Sequence, residues 1–162
     1  RADVQISMLL EGRRLIEEDK KYVPGVEKFK EAYRLSRNPV LLYLHGGLPD
    51  HFLNDRYPTG LEEIFTIVWW EQRGSGLSFH PDMAPESLNS EQIVSDTLEL
   101  TNYLRARFGQ EKIYLMGRSG GTFFGIQAAA RAPELYHAYI AVAQISNQLE
   151  SERLPSSGSG KS

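Results

Sequence analysis

The segment Ile113-Tyr114-Leu115-Met116-Gly117-Arg118-Ser119-Gly120-Gly121-Thr122 carries the residues best suited to do chemistry. A short apolar run leads into a serine flanked by glycines at 117 and 121, and an alanine-rich stretch with helical patterning follows at once. A serine placed on so sharp a turn between a strand and a helix sits in a strained backbone conformation, its hydroxyl thrust clear of the sheet. Gly117 and Gly121 fit such a turn because a side chain at either place would collide with the neighbouring strand or helix. The N–H groups that open the next helix then point to where negative charge develops when a serine attacks a carbonyl. The chemistry implied is acyl transfer with Ser119 as nucleophile.

The elements that must position this serine are legible from residue 39 onward. Val40 to Leu44 and Ile64 to Trp70 are continuous apolar runs, the mark of strands buried on both faces. Asn89, with Gln92 three residues on, offers a helix cap. Ile93, Val94, Leu98, Leu104 and Phe108 supply an apolar stripe, and Gly109 stops the helix. Ile113 to Met116 reads as a third strand, Thr122 to Ala132 as a helix ended before Pro133, and Tyr139 to Ala143 as a fourth strand. Alternation of this kind predicts an α/β fold, a parallel sheet with helices on both faces. Right-handed crossovers place the first strand between the second and third. Over residues 3–20 the spacing of Leu9, Leu10, Leu15 and Ile16 favours a helix, although Val4 to Met8 alternates like a strand. Val26 to Leu35 fits either a short helix or an irregular strand.

Open α/β sheets gather their sites in the loops at the carboxyl ends of the strands. The first such loop is His45-Gly46-Gly47-Leu48-Pro49-Asp50, whose paired glycines let backbone N–H groups approach an anion. The second is Glu71-Gln72-Arg73-Gly74-Ser75-Gly76-Leu77-Ser78, a tight turn without the third glycine of a dinucleotide fingerprint. Ser119 lies in the third. His45 reads as a residue that shapes its loop, and His51 and His80 as solvated. Trp69 and Trp70 end a buried strand, where packing accounts for at least one of them.

Composition narrows the classes further. The chain has 162 residues, room for one domain, with 18 Lys and Arg against 21 Asp and Glu and a formal net charge of -3. That balance gives no reason to expect nucleic acid or an anionic membrane surface as partner. The absence of cysteine excludes disulfides, a thiol nucleophile and thiolate metal sites. No His, Asp and Glu cluster has metal-ligand spacing, so neither a metal nor another cofactor is expected. No apolar run approaches the roughly 20 residues of a membrane span, and no charged-then-apolar leader opens the chain. A cytoplasmic location is the resulting expectation. The final stretch from Pro155 is low-complexity, and its Gly160-Lys161-Ser162 lacks the preceding glycine and following helix of a phosphate-binding loop.

His45-Gly46-Gly47, then Trp70 to Ser78, then Gly117 to Thr122 together resemble the amino-terminal half of an α/β-hydrolase, with most similarity to the prolyl iminopeptidase-like hydrolases. The resemblance runs from about Asn38 to about Glu152. It implies Ser119 as nucleophile, the N–H groups of Gly47 and Gly120 as oxyanion donors, and an N-terminal peptide residue or an ester as substrate. Three departures stand out. Leu48-Pro49 replaces the Pro-Gly usual in that group, Glu71 replaces an Asp, and Arg118 stands where His is common.

In this fold the nucleophile is followed in the chain by an acid and then a histidine. Here only His137 follows Ser119 and no Asp does. His137 is expected just before the fourth strand, remote from Ser119. The expectation is therefore a partial α/β-hydrolase without lid and last strands. Residues 1–37 form an unassigned segment, 38–152 the hydrolase-like part and 153–162 a flexible tail. The alternative is a catalytically inactive fragment serving as a binding or assembly module. In either case a homo-oligomer or a complementing chain is expected across the exposed sheet edge.

Overall fold

A computed structural model describes residues 7–10, 13–16, 38–47 and 57–147, the first two stretches as backbone. Four parallel strands form the central sheet: β3 (Val40–Leu44), β4 (Thr66–Trp70), β5 (Ile113–Arg118) and β6 (Tyr136–Val142), in the order β4-β3-β5-β6. The first strand of the sheet lies between the second and third, as right-handed crossovers require. Two short strands precede it, β1 (Ser7–Leu10) and β2 (Arg13–Ile16), paired antiparallel with Met8 opposite Leu15. This corrects the helix expected over residues 3–20, whose remaining positions, like Val26 to Leu35 and the tail, lie outside the described residues. The apolar doublets 9–10 and 15–16 mimic helical spacing. They also suit two short strands separated by the two residues Glu11 and Gly12, a length that favours a hairpin.

Helix α1 (Ser90–Phe108) begins where expected: the Asn89 side chain accepts the Gln92 N–H at 2.8 Å. It ends at Gly109, whose φ of 62° is the left-handed cap a glycine adopts freely. Helix α2 (Gly120–Arg131) starts immediately after Ser119. Both helices pack on the same sheet face. Val94, Leu100 and Leu104 of α1 and Ala128 of α2 join Val40, Leu42, Leu44, Val68, Trp70, Ile113 and Leu115 in one core. The topology explains this. The steps β4 to β5 and β5 to β6 move in the same direction across the sheet, so right-handed crossovers put both helices on one side. The step β3 to β4 runs the other way, and the described residues just before β4 lie on the opposite face. There Leu61 and Phe65 pack on Leu41, Tyr43, Ile67 and Trp69. Both tryptophans of β4 are thus core residues, on opposite faces.

The strand registers set the level of the functional loops. Leu44 is opposite both Trp70 and Gly117. The loops that follow β3, β4 and β5 therefore leave the carboxyl edge side by side. Gln110 fixes the other end of β3, accepting the Val40 N–H at 3.0 Å and donating to the Asn38 carbonyl at 3.1 Å. Thr101 of α1 and Tyr136 of β6 share a buried hydrogen bond of 2.9 Å. Beyond Tyr136, β6 is largely exposed, with Ile140 at 36% and Val142 at 41%.

Candidate active site

The turn at Ser119 has the strain that its sequence implies. Ser119 holds φ 50° and ψ -121°, a region costly to any residue bearing a β-carbon. Its neighbours show why glycine is needed around it. A β-carbon on Gly117 would lie 2.8 Å from the Gly121 carbonyl oxygen, and one on Gly121 only 2.2 Å from the Leu44 carbonyl oxygen. These two glycines let β5, α2 and the end of β3 meet. Gly46 does the same from the next loop, since a β-carbon there would stand 3.1 Å from the Ser119 β-carbon and 3.6 Å from its Oγ. The Ser119 backbone is tied down on both sides: its N–H donates to the Val142 carbonyl at 2.9 Å, and its carbonyl accepts the Thr122 N–H at 2.9 Å. The side chain is exposed at the carboxyl edge. Gly120 opens α2, so its N–H belongs to the first helical turn, whose donors have no partner within the helix.

The structure therefore brings Gly120 and Gly46 against Ser119. Gly47, the expected donor, is the next residue along; it is exposed and has open space around its α-carbon. Gly46 is the contact that sequence reasoning passes over. The paired glycines are the signal, and the first of them makes the close approach.

His45 is buried and fixes this loop. Its Nδ1 lies 2.8 Å from the Gly46 carbonyl, which can only accept, so Nδ1 carries the proton. Nε2 is then an acceptor, and the Gln72 N–H donates to it at 3.2 Å. The Gln72 side-chain amide returns to the His45 carbonyl at 2.9 Å. Ser75 Oγ stands 2.9 Å from Nε2 and 2.6 Å from the Gln72 carbonyl, and its single proton serves one of the two. His45 is thus a clamp between the first two loops, in line with its loop-shaping reading.

The second loop is organised by two inward-facing charges that the sequence does not reveal. Glu71 is buried and accepts the Leu77 N–H at 2.6 Å. A β-carbon on Gly76, which holds φ 52°, would meet that carboxylate within 2.6 Å. Arg73 donates through Nε and Nη2 to the two oxygens of Asp96 at 2.6 and 2.8 Å, and Gln92 Nε2 adds a third bond at 2.8 Å. This bidentate bond raises the Arg73 pKa above its ordinary value, against the opposing effect of burial. It anchors the loop to α1. An acidic residue five positions before a glycine is the sole local hint of the Glu71 turn.

His137 lies inside β6, a short way in from its amino end, rather than just before the strand. Its ring is 5.1 Å from that of Tyr114. At about 3.3 Å per residue, roughly 17 Å of β5 separates Tyr114 from Ser119, so His137 and Ser119 occupy opposite ends of the sheet. His80 is exposed, and His51 lies outside the described residues. Among the described residues no group of three His, Cys, Asp or Glu could hold a metal ion, and no helix is long and apolar enough to cross a membrane.

Residues 39–158 match the model of the family described as alpha/beta hydrolase fold. The chain belongs to that family. It is 36% identical over 118 residues to the probable aminopeptidase YbaC of Bacillus subtilis (strain 168), a match covering 72% of this chain and 37% of that protein. Among solved structures it is similar to a proline iminopeptidase-related protein of Thermus thermophilus, with 25% identity and a TM-score of 0.55. That match covers 89% of this chain and 46% of the other. The 2-hydroxy-6-oxo-6-phenylhexa-2,4-dienoate hydrolase of Rhodococcus sp. strain RHA1 is 26% identical with a TM-score of 0.50, over 65% of this chain and 38% of its own. The chain thus spans less than half the length of each of these relatives.

Proposed function

We propose that this chain carries the nucleophile and the oxyanion donors of a serine hydrolase that cleaves the N-terminal residue of a peptide, or an ester. The observation that carries the reading is the strained Ser119 between β5 and α2, walled by Gly46, Gly117 and Gly121. Ser119 Oγ attacks the carbonyl carbon, a C–O bond forms, and the carbonyl electron pair moves onto oxygen. The N–H groups of Gly47 and Gly120 hold that oxyanion. Its collapse breaks the scissile bond, the amine or alcohol leaves with a proton, and water then releases the acyl group from Ser119. The aminopeptidase name of the Bacillus subtilis relative favours a peptide substrate.

The hydroxyl needs a base. His45 has both ring nitrogens committed and His137 is at the far end of the sheet, so in this reading the base and its acid come from residues other than these. The 162-residue chain by itself then hydrolyses activated aryl esters at most within the roughly 10³–10⁴-fold acceleration left when a triad member is missing. The test is labelling with a serine-directed fluorophosphonate, read by peptide mass spectrometry. Slow modification at Ser119, abolished in Ser119→Ala, is expected. Modification of another residue would overturn the assignment, and rapid stoichiometric labelling would show that the chain supplies its own base.

A second reading rests on the exposed apolar residues Ile140 and Val142 along β6. In it the chain is an inactive hydrolase-fold module whose sheet edge is covered by another copy or another chain. No fluorophosphonate labelling together with persistent self-association would favour it.

A further inference from the structure

Among the described residues, two that are not glycine hold a positive φ: Ser119 at 50° and Ala143 at 55°. They lie on the two sides of one hydrogen-bonded knot. Just before Ala143, the Val142 carbonyl accepts the Ser119 N–H at 2.9 Å. Just after it, the Ile145 N–H donates to Thr122 Oγ1 at 2.9 Å. Thr122 Oγ1 in turn donates to the Ser119 carbonyl at 2.5 Å. Tyr139 completes the knot: its hydroxyl lies 3.0 Å from the Thr122 carbonyl and 3.1 Å from Gln144 Oε1, with one proton for the two, while its ring fills the space beside Gly125. Thr122 is fully buried, and its hydroxyl is used once as donor and once as acceptor.

Strained backbone persists where its surroundings over-determine it. Packing cannot do this for the turn after β6, because Val142, Ala143 and Gln144 are all exposed. Hydrogen bonds hold it instead: those to the elbow, together with those that Gln144 makes to Tyr139 and to the Ile145 carbonyl. We propose that Thr122 is a positioning residue that couples the backbone of Ser119 to the turn at 142–145, so that the end of β6 helps set the geometry of the elbow. Its catalytic meaning rests on the reading of Ser119 as nucleophile; the coupling itself does not.

Amide hydrogen exchange by NMR on the whole chain tests the coupling without requiring turnover. Thr122→Val keeps the shape and removes the hydroxyl, whereas Thr122→Ser keeps the hydroxyl. In Thr122→Val the amides of both Ile145 and Ser119 should exchange roughly fivefold to tenfold faster, the scale of one net hydrogen bond. Thr122→Ser should restore both. A Ser119 amide that is unchanged in Thr122→Val, or that is not restored by serine, would overturn the proposal and leave Thr122 as a local support of α2. Should Thr122→Val fail to fold, Ile145→Pro removes the donor at the other end, and faster exchange at Ser119 is again required. The Ser119→Ala labelling experiment separates the two claims. Loss of the nucleophile reading would leave the exchange result standing, and an uncoupled Ser119 that still labels would refute only the coupling through Thr122.

Discussion

Adjacent glycines at the start of α2 should respond to the same substitution in opposite ways. A β-carbon on Gly121 would sit 2.2 Å from the Leu44 carbonyl oxygen and 2.6 Å from that of His45, both backbone atoms of a buried strand end that cannot rotate away. Relief requires moving the start of α2 away from β3, by on the order of 1 Å, in a close-packed core. Overpacking typically costs 1–3 kcal/mol and more where the neighbours are rigid, so Gly121→Ala should lose about 3–4 kcal/mol. At roughly 2–4 °C per kcal/mol for a chain of this length, the melting temperature should fall by about 6–16 °C. A β-carbon on Gly120, by contrast, meets its nearest neighbour, the Gly46 carbonyl carbon, at 3.7 Å, an ordinary contact. Gly120→Ala keeps the N–H and replaces a flexible residue by a good helix former, worth up to about 1 kcal/mol in a helix interior and less at its first position. Its melting temperature should stay within a few degrees of the parent or rise. Helix propensity favours alanine at both sites, so a large loss at Gly121 alone can come only from the collision. Thermal unfolding followed by circular dichroism reads the pair directly. A Gly121→Ala protein melting within about 3 °C of the parent, or equal losses at both glycines, would refute this account of the elbow.

Three further outcomes are expected. Asp96→Asn should destabilise the fold by about 1.5–3 kcal/mol in urea unfolding, because it strips the bidentate partner from Arg73; a midpoint shift near zero would show the pair to be idle. Burial raises the Tyr136 phenol above its ordinary value, only partly opposed by the Thr101 hydrogen bond. Its contribution is therefore fully present below about pH 10 and is lost as pH climbs from there through the folded-state value. Tyr136→Phe should flatten this alkaline loss, and an unchanged slope would assign it elsewhere. Finally, the exposed β6 edge predicts self-association in light scattering, which a monodisperse species of 18.4 kDa would contradict.

The parts of this fold that can be read from sequence are those whose cause is local. Strands β3 and β4 are buried at every position and, Thr66 apart, apolar, because both faces are covered, and Asn89, Gln92 and Gly109 mark the ends of α1 by their own backbone preferences. The sequence pattern starts β6 at Tyr139, whereas the strand begins at Tyr136. The reason is that His137 interrupts the apolar run near its amino end, and a register irregularity at Ile113 and Tyr114 shifts its first pairs. The hairpin β1–β2 escapes the pattern because four-residue strands carry too few residues for a period to declare itself. At the site, Gly117, Ser119 and Gly121 follow a short-range pattern. The roles of Gly46 and Thr122 come from contacts with residues distant in the chain, whereas Glu71 meets Leu77 and Gly76 within its own loop, where only the spacing of an acid before a glycine hints at it.

These contacts also restrict how a base could reach the serine. The Ser119 N–H and carbonyl are occupied by Val142 and Thr122, Gly46 closes the side toward β3, and the first turn of α2 closes the side that follows. Among the described residues, what stays open is the solvent side of the carboxyl edge, where Ser119 is exposed. A histidine delivered there would meet Oγ without disturbing the knot that holds the backbone. His45 could do so only by surrendering its bonds to Gly46 and Gln72, which would free the very loop expected to bind the oxyanion. If Ser119 is the proposed nucleophile, the residue that shapes the first loop and the base that deprotonates the serine are therefore different residues.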